Sequence, residues 1–181
     1  MLRILEEKIY IDLNPRVISI KEVPSGIVIE LICDDWGDSS QRSFMILAKG
    51  VVKNSLGLGS IEFVSWTHEH PILANYVSPQ AELYFSSQPT DILSVVEIMN
   101  EAHRKFYGSW KQYGFPSIAL LRGGYGLLES GPKELMSLYK ENLKGLLELS
   151  LVDAYSPKLD VGILFLGEGY VICNSAEAIE L

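Results

Sequence analysis

Cysteine is scarce in this chain, with Cys33 and Cys173 alone among 181 residues. A disulfide between them would need the two strand ends they occupy to be neighbours. Each closes an apolar run (28–33 and 171–173), so the expectation is two buried free thiols, kept as small hydrophobes in a reducing compartment. Long apolar stretches are also missing. None reaches the ~18 residues a bilayer crossing needs, and Glu6 and Glu7 interrupt the first ten residues, where a signal peptide would be uniformly apolar. These absences point to a cytoplasmic protein with no membrane partner.

Positive charge is in deficit. Lys and Arg number 15 against 23 Asp and Glu, a net charge of -8. Nucleic acid and anionic membranes are disfavoured as global partners, because both present negative charge. Repeats of fixed period, low-complexity tracts and long linkers are lacking too. The nearest thing to a boundary is Ser86-Ser87-Gln88-Pro89. The reading is one domain over 1–181, with a possible sub-boundary near 87–90 between a β-rich half (1–89) and a mixed half (90–181).

The motifs of common chemistry are missing as well. There is no H-E-x-x-H, no phosphate-binding glycine loop and no calcium loop. The sequence therefore assigns no catalytic residue, no metal ligand and no cofactor.

What the chain does have is apolar material. It is 48% hydrophobic and 10% aromatic, enough to fold around a core of its own. The first ninety residues read as strands: IYIDL (9–13), VISIKEV (17–23), GIVIELICD (26–34), SFMILAK (43–49), SIEFVSW (60–66) and ELYFS (82–86). They are short, β-branched or aromatic, and separated by turn residues. The tight Pro24-Ser25-Gly26 join predicts an antiparallel meander of about five or six strands.

From Asp91 the apolar period becomes helical. Ile92, Val95, Val96, Met99, Phe106 and Trp110 fall on one stripe opposite Glu97, Asn100, Glu101, Arg104 and Lys105. Thr90 or Asp91 can cap the start, and Gly108 or Gly114 the end. The Gly123-Gly124 pair between SIALLR and YGLLE predicts a hairpin. Gly131-Pro132 opens a second helix with Leu135, Tyr139, Leu143 and Leu146 on one face, ending near Leu147. VGILFL (161–166) and YVICN (170–174) close as a hairpin around Gly167-Glu168-Gly169. The predicted class is α+β: an N-terminal antiparallel meander covered by a long amphipathic helix, then hairpin, second helix and C-terminal hairpin.

Three places carry polar chemistry. WTHEHP (66–71) places His68 and His70 one residue apart; in an extended strand they share a face with Trp66. The third histidine, His103, falls inside the apolar stripe of the first helix, where a polar group needs a partner. If that helix crosses the sheet, His68, His70 and His103 could form a three-histidine site, joined by an acidic residue from 34–38. The ordinary reading is a solvated strand rim and a satisfied core histidine. DDWGDSS (34–40) reads as a solvated turn.

The third place is 103–116, HRKFYGSWKQYGFP. Over 102–128 the chain carries Arg104, Lys105, Lys111 and Arg122 and no acid, so +4 stands on a remainder of -12. Arg and Lys beside Tyr and Trp suit a protein interface. The leading expectation is a non-catalytic interaction protein that binds a protein partner or itself through this surface, with Arg104, Tyr107, Trp110 and Lys111 beside Trp66, His68, His70 and His103 as candidate contacts. A metal-dependent or acid/base hydrolase centred on the histidines is the rival. A third reading is a small-molecule module lined by Trp66, Tyr84 and Trp110, with its pocket beneath the helix.

Overall fold

Strand β2 (Gly26–Asp34) alternates along its whole length, Ile27, Ile29, Leu31 and Cys33 buried and the residues between them partly exposed. That period of two fixes which face meets the core. The structure is a computed structural model, and it describes Leu5, Ile9, residues 11–35 and residues 40–181. These form two units, one of Met1–Leu73 with Leu159–Leu181, the other of Ala74–Lys158.

The first unit is built on strands, with short 3-10 helices at Ile11–Leu13 and Pro71–Leu73. β1 (Arg16–Val23), β2 and β3 (Gln41–Lys49) form the predicted meander, joined on one side by β12 (Ser175–Glu180) and on the other by β5 (Gly59–Ser60), in the order β12-β3-β2-β1-β5. Val23 pairs with Gly26 across the Pro24-Ser25 turn. Gly26 has φ 144, and a Cβ there would lie 1.9 Å from the Ala48 carbonyl oxygen, so only glycine fits.

A second sheet runs β4 (Lys53–Asn54), β11 (Gly169–Cys173), β10 (Gly162–Leu166), β6 (Val64–Thr67). The closing hairpin predicted from sequence is its centre, turning at Gly167. Both sheets contribute to one apolar cluster, with Val17, Ile29, Leu31, Phe44 and Ile46 from the first and Val64, Leu164, Val171 and Cys173 from the second. Cys33 and Cys173 are buried free thiols. Burial pushes the Cys173 thiol up to about 11 and leaves it inert at neutral pH.

The second unit has its own core. β7 (Gln80–Phe85) is the centre of an antiparallel sheet β8-β7-β9, with β8 at Gly126–Pro132 and β9 at Leu149–Asp153. Four helices accompany it: α1 (Ala74–Val77), α2 (Ile92–Tyr107), α3 (Ile118–Gly123) and α4 (Lys133–Asn142). Asp91 caps α2 by accepting from the Leu93 and Ser94 amides at 3.0 and 3.2 Å, and Gly108 ends it at φ 63. The buried side of α2, Val95, Met99, Ala102, His103 and Tyr107, shares a cluster with Ala81, Leu83 and Phe85 of β7 and Leu135, Met136 and Tyr139 of α4.

Several expectations need correction. The long helix does not cover the N-terminal meander; it packs on β7 and α4, while the meander's inner face meets β10 and β11. The meander holds three consecutive strands, not five or six. Residues 11–13 form a 3-10 turn in place of a strand, and SIEFVSW splits into β5 and β6, in different sheets. The hairpin expected at Gly123-Gly124 is instead α3 followed by β8: the Ser117 hydroxyl accepts from the Leu120 amide, and Gly124 at φ 80 donates to the Leu120 and Leu121 carbonyls. A glycine pair serves a left-handed helix cap as well as a hairpin turn. The second helix stops at Asn142, short of Leu147.

Candidate functional site

WTHEHP is a strand end that ties its own rings down. β6 stops at Thr67, so the alternation that would set His68 and His70 on one face lapses. The Trp66 indole N–H donates to His68 Nε2 at 3.2 Å, with the rings edge to face at 5.3 Å. The Glu69 amide donates to Thr67 Oγ1 at 3.0 Å, and the Ile72 amide donates to His70 Nδ1 at 3.3 Å. The His70 ring also rests on Phe165, 5.0 Å between centroids, and burial lowers its pKa. Both imidazoles thus accept a local hydrogen bond, and among the described residues no group of three His, Cys, Asp or Glu could hold a metal ion. Of the acidic turn, Asp34 ends β2 and the Asp35 amide donates to the Ser40 carbonyl at 3.1 Å; residues 36–39 lie outside the described residues.

His103 belongs to the second unit's core. It is 6% exposed, and its Nδ1 lies 2.9 Å from the Tyr139 hydroxyl on α4. Its ring is 4.7 Å from that of Tyr107 and 5.3 Å from that of Tyr113. Burial, with the Lys111 cation second, lowers the His103 pKa, so the ring is neutral at pH 7. Burial raises all three phenols, Tyr107 to about 12 and Tyr113 and Tyr139 further. Tyr139 therefore keeps its proton and can donate it to Nδ1, which puts the ring proton on Nε2. The Lys111 backbone lies near enough to favour the protonated ring, yet Nε2 is buried with no hydrogen bond of normal geometry. The Tyr113 hydroxyl is buried and unpartnered in the same cluster.

These groups surround a cavity of about 200 Å³. His103, Tyr107 and Lys111 line it from α2 and the segment after it, Glu129 and Ser130 from β8, and Tyr139 from α4. The Lys111 ammonium donates to Asn75 Oδ1 at 3.1 Å and sits 4.7 Å over the Tyr107 ring, while the Tyr107 hydroxyl donates to the same Oδ1 at 3.0 Å. Wider hollows in the first unit, about 490 Å³ near Leu58 and Glu168 and about 390 Å³ beside the 24–26 turn, are lined largely by turn residues and hold no buried titratable group.

Outside the cavity, the same stretch of chain is apolar and exposed. Trp110 is 40% exposed, Phe115 71%, Ile118 51%, Leu120 46% and Tyr125 74%. Trp110 lies beyond the end of α2 and is not the core residue its place on the stripe predicts. Arg104 and Lys105 are exposed in the last turn of α2, and Arg122 in that of α3.

Of the candidates read from sequence, His103, Tyr107 and Lys111 are brought together at one cavity. Arg104 and Trp110 stand on the exposed side, and Trp66, His68 and His70 lie in the first unit. A cavity does lie at the C-terminal end of the long helix, but Trp66, Tyr84 and Trp110 do not line it. Sequence reasoning missed Tyr139, Glu129 and Tyr113. Tyr139 was legible only as an apolar-face residue, because its partner is 36 positions away. Compared with protein-family models, with curated proteins and with solved structures, the chain matches none.

Proposed function

We propose that this chain is a non-catalytic interaction protein that docks an acidic, apolar segment of another protein on the exposed side of residues 104–127. The observation that carries the reading is the coincidence, on one stretch of chain, of exposed Trp110, Phe115, Ile118, Leu120 and Tyr125 with Arg104, Lys105, Lys111 and Arg122 and no acid. Exposed aromatic and aliphatic side chains supply contact area, and the cations select the partner's charge and speed its encounter. Trp, Tyr and Arg are the residue types that dominate such interfaces.

Charge also chooses between a foreign partner and a second copy. A two-fold dimer through this face would set two +4 segments against each other, which is repulsive. An acidic partner meets no such barrier.

The test uses a fluorescent peptide rich in Asp, Glu, Phe and Leu, with anisotropy against the full chain and against Arg104→Glu/Arg122→Glu. Both arginines are exposed, so the variant should fold. Salt-sensitive binding that the double reversal abolishes is the expected result. Failure of the peptide to bind, equal binding by the variant, or a dimer in light scattering that the reversal disrupts would each overturn the reading.

A further inference from the structure

The cavity beside this segment shares Lys111 with the docking surface, but its chemistry is of another kind. His103 is more than nine-tenths buried and lines the cavity, yet its Nε2 makes no hydrogen bond of normal geometry, the Lys111 backbone lying near it but poorly aligned. A buried donor met only by a poorly aligned acceptor is costly. A native structure that keeps one beside an empty space has room for an acceptor that is not part of the chain. Two charged groups of opposite sign, Lys111 and Glu129, line the same cavity.

The volume bounds what could enter. At about 30 Å³ per water in the liquid, about 200 Å³ corresponds to roughly six or seven waters. That is below the ~300 Å³ at which drug-sized pockets begin. The occupant is a small molecule, and the walls say more about it. A plain carboxylate would be drawn to Lys111 and repelled by Glu129, and a plain amine the reverse. A molecule with both charges at short separation satisfies both walls, while its carboxylate supplies the well-aligned acceptor that Nε2–H lacks. Tyr107, whose phenol stays neutral, and Leu135 and Met136 leave an apolar wall for a short side chain.

We infer that this cavity is a binding site for a small amino carboxylate of free amino-acid size, its carboxylate received by Lys111 and His103 Nε2–H and its ammonium by Glu129.

The full chain is titrated with glycine, alanine and serine, and in parallel with acetate, propionate, ethylamine and propylamine. Calorimetry and the ring nitrogen resonances of His103 are the readouts. At least one amino acid should bind saturably and shift the His103 ring, while the singly charged compounds do so about tenfold more weakly or not at all, as loss of a charged hydrogen bond implies. Lys111→Gln, at an exposed position that does not endanger folding, should lower that affinity about tenfold. No amino acid shifting the ring, propionate or propylamine matching the amino acids, or unchanged affinity in Lys111→Gln would each overturn the assignment.

Discussion

The Tyr139 hydroxyl lies 2.9 Å from Nδ1 of His103, across a separation of 36 residues, and joins α4 to α2 inside the core of the second unit. A histidine on an apolar face is tolerated because this phenol, itself held neutral by burial, donates to it.

Removing that donor should be felt. Tyr139→Phe keeps the ring volume and leaves Nδ1 buried without a partner, so a loss of about 1–3 kcal/mol is expected. Urea unfolding measures it. The effect should shrink when the substitution is repeated in His103→Leu, because the stranded acceptor is then gone. Equal losses in both backgrounds would mean that the pair is not coupled.

The same burial sets an acid limb. His103 has a folded pKa below its ordinary 6.5, so in the window between those two values the unfolded chain binds a proton that the folded chain does not. Stability then rises with pH, and it falls as pH is lowered from 6.5 toward the folded value. The groups facing the ring are Lys111, Tyr107, Tyr113 and Tyr139, and of these only Lys111 is charged there. His103→Gln should flatten the slope of unfolding free energy over this window, with His70, also lowered, supplying what remains. A slope unchanged in the variant argues against it.

At alkaline pH the sign reverses. Tyr107 is raised to about 12, and Tyr113 and Tyr139 are raised as well. Their contribution to stability is complete below the ordinary phenol value of 10 and is lost as pH climbs through the raised values. Tyrosinate absorbance should therefore show a class of phenols that ionises only as the protein unfolds. Smooth titration of all nine tyrosines near pH 10, with the fold intact, would contradict this.

In the first unit Gly162 is packed directly against the Trp66 indole. A Cβ there would lie 2.3 Å from Trp66 Cζ2, closer than any real contact. Gly162→Ala must displace the indole, at a cost of about 1–3 kcal/mol, and with it the Trp66 to His68 hydrogen bond. Thermal unfolding and tryptophan emission check it. An unshifted emission spectrum with unchanged stability would show that the indole moves without cost.

Much of the fold was legible locally. GIVIELICD alternates so regularly that β2 begins and ends where its pattern does, and Asp91 and Gly108 bound α2 through capping that depends on neighbours two to four residues away. Other elements gave weak or misleading signals. SAEAIE shows one buried side chain, Ala178, and is held as an edge strand by pairing with β3 and by ion pairs of Arg42 with Glu180 and Lys49 with Glu177. LSLVD became β9 only by pairing with β7.

The candidate site divides the same way. The net acidic charge, the acid-free basic stretch and the presence of one histidine on an apolar face are properties of the chain order alone. Which core that face entered, which phenol met His103 and which cavity Lys111 and Glu129 came to share were decided by tertiary structure. Periodicity says that a face will be buried but not against what, because burial free energy depends on area removed from water and not on the identity of the partner. Hydrogen bonds between positions as distant as 103 and 139 leave no pattern in either neighbourhood.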